Sequence, residues 1–312
     1  MNKILKSIHV IILTLSLFTH NSSARDLWLK DIPLKQLKKL YNEIDYKGRK
    51  GYLMIPSYKY PSIFLKNFPT NYSKIMDETE RNALFIKILA PLTLKINQEI
   101  INERKVILNI NSEFQKGNQL SDKNINTLEI TAKKYDIFTR LKSHERYSYI
   151  LSELITRIDV IPPSILITAA ALETNWGSSR IVKEGNSLYK TLIWHTEKGL
   201  KPRGETSDNS YRIKTYPDIY SSMIEFTLKI NSHPAFKAMR NMRKELRDRH
   251  GNMYGTLLAP YIFGNSQLQN YAGIFDYTMT YYELLIIDKS SLADNMITKE
   301  IEKKYSQYTT NK

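Results

Sequence analysis

The chain has 312 residues, 46 Lys+Arg against 31 Asp+Glu for a formal net charge of +15, and no cysteine. That length buries a sizeable core and excludes a minimal peptide scaffold, while the missing thiols exclude disulfides, thiolate chemistry and cysteine-ligated metal. The charge selects for polyanionic partners, whether nucleic acid, anionic lipid or an acidic envelope polymer, without choosing among them.

Lys3 and Lys6 precede an apolar run from Ile8 to Phe18, and Ser22-Ser23-Ala24 offers small residues for cleavage, so residues 1–24 read as a secretory signal. The run is about half of the ~20 residues a membrane-spanning helix needs, and no later segment is long and apolar enough. The expectation is an exported soluble protein, periplasmic or cell-envelope associated or secreted, with an uncleaved anchor as the alternative. Losing residues 1–24 removes two lysines and no acid, leaving +13.

Residues 25–75 carry Lys/Arg clusters, prolines at 33, 56, 61 and 69 and weak periodicity, which predicts an irregular arm whose Trp28, Tyr52, Tyr58, Tyr60 and Phe64 drape over a core. A helical region over 76–157 follows. Asp77-x-x-Glu80 resembles a capping arrangement, Leu84 to Ile100 repeat at helical spacing through to about Leu108, and Pro91 should kink or divide that helix. Ser121 is placed to cap a second helix and Ser143 a third.

The most informative stretch runs from Pro162 to Arg180. Pro163 suits a first helical position, and Ile165, Leu166, three alanines at 169–171 and Leu172 make a helix able to pack on several sides. Glu173 is the ionisable group near its end, followed at once by a Trp-Gly turn. Such a carboxyl is either a structural acid paired with a cation such as Arg180, or one whose pKa desolvation raises for proton donation. Beyond it, Gly185-Asn186, Gly199 and the polar run 201–209 read as a long loop, and Tyr211-x-Ile213-x-Thr215 alternates as a strand, so a small β-hairpin follows the acid. Helical pattern returns at 221–230 and 236–247, and a last helix opens at Ser266-x-x-Gln269 and runs through Tyr271 and Tyr282. From Lys289 the tail is polar and expected to be solvated.

His233 with Asn231 fits the bracing of a helix junction better than a metal site, since no ligand partner sits beside it, and no metal or cofactor is expected. The basic run Arg240, Arg243, Lys244, Arg247 and Arg249 reads by default as a solvated helix face, which wall anions could also use. No nucleic-acid motif stands out, and the export signal disfavours such a partner.

Ile158 to Ser164 followed by Ala170-Ala171-Leu172-Glu173-Thr174-Asn175-Trp176-Gly177-Ser178-Ser179-Arg180, the turn Glu184-Gly185-Asn186-Ser187-Leu188-Tyr189, and the block Asn231 to Phe236 with Arg240 and Arg243 resemble the bacterial Bax-type proteins. Their glucosaminidase domain belongs with glycoside hydrolase family 73 and is lysozyme-like. The resemblance implies a mainly α protein: a lysozyme-like α lobe with a small β-hairpin lobe over 158–288, preceded by a helical N-terminal region. It also implies an endo-β-N-acetylglucosaminidase acting on peptidoglycan glycan strands, at the bond between N-acetylglucosamine and N-acetylmuramic acid, with Glu173 as general acid. Trp176, Asn186 and Tyr189 are the substrate-binding candidates, although Trp176 also suits packing and Asn186 a left-handed turn.

A second carboxylate is sought among Glu197, Glu205 and Asp208, with Glu205 favoured because its loop could close over substrate. Retention would need the pair about 5–5.5 Å apart and inversion about 6.5–9.5 Å, and a substrate-assisted route needs no protein base. Two departures stand out. Lys190 replaces the family's usual glycine, and across 264–271 only the final tyrosine, Tyr271, persists, with a hydroxyl placed to orient the acetamido group or a water. Competing readings are a muramidase or lytic transglycosylase and a non-catalytic cell-wall-binding protein of the same fold.

Overall fold

The computed structural model describes residues 26–46, 59–194, 199–202, 211–263, 270–293 and 296–312. It is mainly α, with a lysozyme-like helical body and a small β lobe.

The spine is α2 (Glu78–Gln115), preceded by β1 (Leu27–Leu29), α1 (Leu34–Glu43), β2 (Lys59–Pro61) and β3 (Ile63–Leu65). Asp77 caps α2, its carboxylate accepting from the Glu80 N–H at 3.0 Å. The helix is continuous through Pro91 rather than divided there. Burial explains this: Ile88 to Leu92 are fully enclosed, so packing on all sides holds a turn that proline alone would open. α3 (Asp122–Lys134) is capped by Ser121 as the sequence predicts. α4 (Ser143–Arg157) is not capped by Ser143, which is its first residue, at φ +50°.

Against α2 packs α5 (Pro163–Thr174), the helix that carries Glu173. Every residue from Pro163 to Ala171 is buried, and the run of alanines lets neighbouring elements approach closely. Pro163 needs no amide partner at its position; Ser164 donates its N–H and its hydroxyl to Asp288, at 2.8 and 2.7 Å. Gly255 N–H donates to the same carboxylate at 2.9 Å, so one half-buried acid ties α5 to α9 (Gly255–Leu258). Burial pushes the Asp288 pKa up to about 7 against the three hydrogen bonds that favour the anion. Because the folded state holds this proton more tightly than the unfolded chain, its contribution to stability is full below about pH 4 and lost as pH rises towards about 7. Asp288→Ala is therefore expected to cost roughly 2–4 kcal/mol through stranded donors. Thermal melts should show the gap from wild type narrowing between acid and neutral pH.

Between α5 and the β lobe lies α6 (Arg180–Gly185). The β lobe is one antiparallel sheet of β4 (Leu192–Trp194), β6 (Tyr211–Lys214) and β5 (Gly199–Leu200), with β6 in the middle. α7 (Ile219–Ser232) and α8 (Lys237–Asp248) follow, then α9, α10 (Pro260–Phe263) and α11 (Tyr271–Tyr281).

Both ends of the chain differ from expectation. The stretch read as an irregular arm contains α1, whose Leu37, Leu40 and Tyr41 are buried at helical spacing among lysines. Trp28, Tyr60 and Phe64 do enter the core, whereas Tyr52 and Tyr58 lie outside the described residues. The tail is not simply solvated. β7 (Ser291–Ala293) pairs in parallel with β2, α12 (Lys299–Lys304) follows, and Leu292, Ile297 and Tyr305 are buried. These apolar residues are spaced singly among charges, which is why composition alone reads as a solvated tail.

The basic run divides as well. Arg240 and Arg243 are 3% and 0% exposed, so that side of α8 is interior rather than a solvated face. Arg243 donates to the carbonyls of Thr156, Arg157, Asp159 and Val160 and to Asn231 Oδ1, all within 2.7–3.1 Å. Arg247 makes two 2.5 Å bonds to the Asp159 carboxylate. Burial would raise the Asp159 pKa, but Arg247, Arg243 and Arg104 together hold it below the ordinary aspartate value. Lys244 and Arg249 are solvated, each paired along the helix.

Candidate active site

Glu173 emerges where α5 ends, and the end of that helix is unusual. Asn175, Trp176 and Gly177 are successive residues with positive φ, at +48°, +55° and +76°. A left-handed conformation costs a non-glycine residue about 1–2 kcal/mol, so local contacts must hold this turn. Thr174 Oγ1 accepts from Gly177 N–H at 2.9 Å, Trp176 N–H donates to Ala171 O at 2.9 Å, and Tyr72 Oη donates to Trp176 O at 2.9 Å. A Cβ at residue 177 would lie 2.9 Å from the Phe68 ring, so the close approach as well as the φ requires glycine there. The turn reverses the chain directly after the acid and leaves Glu173 at the surface of a helix that is otherwise interior.

The Glu173 carboxyl is open to solvent, yet enough protein surrounds it that desolvation pushes its pKa above the ordinary glutamate value. Two groups oppose that rise: the Lys190 ammonium, through its charge, and the Tyr271 hydroxyl, through a hydrogen bond to the carboxylate. Tyr271 is itself pushed up to about 12 by burial and by the acid it faces, so it stays a donor across the neutral range. Glu173 is not the partner of Arg180, whose guanidinium pairs with Glu184 at 3.0 Å. Glu173, Lys190 and Tyr271 thus come together from three separate segments.

Lys190 sits at φ +46°, so the turn in which it replaces glycine does require the left-handed region. That position looks only like a departure in the sequence; what pattern reading misses is that it places a cation beside the acid.

The other candidates have structural engagements. Trp176 is half-buried, its ring 4.3 Å from Tyr282 and 5.6 Å from Phe85 between centroids, which is packing at the base of the turn. Asn186 is the left-handed cap of α6, and its amide donates to the carbonyls of Tyr216 and Pro217 at 3.2 and 3.3 Å. Tyr189 is buried, stacked on Phe226 at 3.9 Å, and its hydroxyl donates to Leu166 O at 3.3 Å, which ties the turn to α5. Glu197, Glu205 and Asp208 lie outside the described residues, as do Ser266 and Gln269. His233 braces its helix junction, Nδ1 accepting from Ala235 N–H at 3.2 Å. Among the described residues no cluster of three metal-ligating side chains occurs, and no helix is long and apolar enough to cross a membrane.

Residues 148–287 match the family model of the Glucosaminidase domain, described as mannosyl-glycoprotein endo-beta-N-acetylglucosaminidase. The match contains Glu173, Lys190, Tyr271 and the whole β lobe. The chain is 27% identical over 173 residues to Protein bax of Escherichia coli (strain K12), which covers 54% of this chain and 57% of that protein. No solved structure matches. The segment matched by the glucosaminidase model thus encloses the acid, the cation and the tyrosine, and together with the similarity to Protein bax it supports a Bax-type glucosaminidase-domain protein.

Proposed function

We propose that the protein is an endo-β-N-acetylglucosaminidase that cleaves the β-1,4 bond between N-acetylglucosamine and N-acetylmuramic acid in peptidoglycan, with Glu173 as the general acid. The observation that carries this reading is a solvent-reachable carboxyl whose pKa is raised by the protein around it, at the strained end of a buried helix. Only the protonated form donates to the glycosidic oxygen, and the raised pKa keeps that form populated closer to neutral pH. As the C–O bond breaks, the proton passes to the leaving oxygen and positive charge develops at the anomeric carbon. The carboxylate left behind is then stabilised by the Lys190 charge and the Tyr271 hydroxyl, the two groups that favour the ionised form. Glu205 is the carboxylate proposed for the opposite face of the sugar, where it activates the water that bonds to the anomeric carbon or attacks that carbon itself before water releases it; attack by the 2-acetamido oxygen, again completed by water, is the route that dispenses with it. The export signal at 1–24 and the basic surface fit a periplasmic or envelope location against an anionic wall.

Digestion of purified peptidoglycan with mass analysis of the fragments tests the bond. Reducing N-acetylglucosamine ends support the proposal; reducing or anhydro muramic ends mean a muramidase or lytic transglycosylase instead, and intact sacculi with bound, folded protein mean a binding role.

Lys190→Gly separates its two effects. Removing the cation takes away a pull that lowers the Glu173 pKa, so the alkaline limb of the pH–rate profile should move to higher pH. Relief of the left-handed lysine, about 1–2 kcal/mol, is partly offset by glycine's chain entropy of about 0.5–1 kcal/mol, so stability should rise slightly. An unmoved alkaline limb counts against Lys190 acting on the acid.

A further inference from the structure

The β lobe carries an aromatic pair that no part of the chemistry above uses. Leu192 and Trp194 alternate onto one face of β4, and β6 places Tyr211 directly opposite Trp194. The two rings stack with centroids 5.0 Å apart and planes 25° from parallel. A cross-strand aromatic pair stabilises a sheet by about 0.2–1 kcal/mol, and that role needs no solvent exposure. Yet Trp194 is 60% exposed, Tyr211 46% and Leu192 56%, whereas Trp28 is buried and Trp176 half-buried. The stacked rings cover each other's inner faces and still leave aromatic surface in water, with Leu192 beside it.

Its position and rigidity relate that surface to the acid. β4 begins two residues after Lys190, whose charge acts on Glu173, so at roughly 3.3 Å per residue Trp194 lies within about 13 Å of Lys190 along the chain. The lobe is pinned to the helical body: Tyr216 N–H donates to Gly185 O at 2.8 Å, Lys214 pairs with Glu225 on α7 at 2.5 Å, and a Cβ at Gly185 would meet Thr215 at 2.9 Å. The platform is therefore held at a fixed distance from the acid.

We propose that the Trp194–Tyr211 platform is a distal glycan subsite, on which the apolar C–H face of a pyranose ring of the bound strand stacks, away from the scissile bond. This rests on the glycosidase reading, since it is the acid that fixes where the strand lies. Pyranose rings present flat C–H faces with their hydroxyls at the rim, a match for an exposed, slightly tilted aromatic pair backed by an aliphatic neighbour. Exposed Lys190 and Lys201 on the flanking segments supply positive charge for the carboxylates of a wall glycan, which favours this strand over an uncharged apolar partner.

The test uses the full mature protein and Trp194→Ala, with Trp194→Phe as the conservative control, each checked by thermal melting. KM and kcat are measured on long glycan strands and on oligosaccharides too short to reach the platform, and strand binding is measured in a Glu173→Gln background. Trp194→Ala should erase about ten-fold of the KM advantage of long strands over short ones, with kcat on long strands little changed and Phe restoring most of the advantage. An undiminished advantage in Trp194→Ala overturns the platform even if the wild type cleaves. Should the wild type cleave nothing, strand binding decides: binding weakened by Trp194→Ala keeps the platform while the enzyme reading falls, and binding that ignores the substitution removes both.

Discussion

Glu173→Gln is expected to lower kcat on peptidoglycan by about 10²- to 10⁴-fold, the usual share of a positioned general acid, while leaving the fold intact. The amide keeps the size and the hydrogen-bonding capacity towards Tyr271 but carries no transferable proton. Because burial raises the pKa of the wild-type carboxyl, the folded state pays for its ionised form at neutral pH, and the neutral amide removes that cost. Thermal stability should therefore stay level or rise as activity falls, an opposition that separates catalytic from structural loss. The wild-type kcat/KM should decline as pH climbs through the raised Glu173 pKa, and that limb should vanish from any residual activity of the variant. Turnover within a few-fold of wild type would remove Glu173 from the chemistry.

Arg243→Met should have the largest effect on folding, about 3–5 kcal/mol in a protein whose total stability is expected to be of order 5–15 kcal/mol. The side chain is fully enclosed and gathers four backbone carbonyls and Asn231 Oδ1 at the junction where α4 ends and the chain enters α5. Methionine fills much of the volume but leaves those acceptors without a donor and deprives buried Asp159 of one of its positive neighbours. Lys244→Ala on the same helix and Arg249→Ala just past its end, both solvated, should each stay within about 0.5 kcal/mol of wild type in urea unfolding. Equal effects across the three would mean that the α8 cations are interchangeable surface charge.

Much of this was legible in the residues because local chemistry dictates it. Pro163 at a first helical position, the unbroken apolar run behind it, the caps at Asp77 and Ser121 and the Tyr211 strand each follow from rules that act over a few positions, and each is where the sequence puts it. The acid could be singled out for the same reason: one carboxyl closing an interior helix. What escaped depends on contacts across the chain. Arg243 looks like any surface arginine until α8 is set against the end of α4, and Lys190 looks like a departure until its turn is folded beside Glu173. α1 and the tail are not legible in the residues because their few apolar residues are scattered among charged and polar ones, a pattern whose meaning is decided by distant partners.

The pairing of β2 with β7, joined by the antiparallel bridge between Leu29 and Thr309, closes the two ends of the polypeptide on one another across some of the longest loops it can form. Long-range strand pairing is slow, since its loop entropy is spent before any contact rewards it. β1 finds its partner nearby in β3, whereas β2 has to wait for residues 291–293 before its own ladder can form. The two small parallel sheets at this end of the fold are thus assembled on different schedules, one local and one across the whole domain.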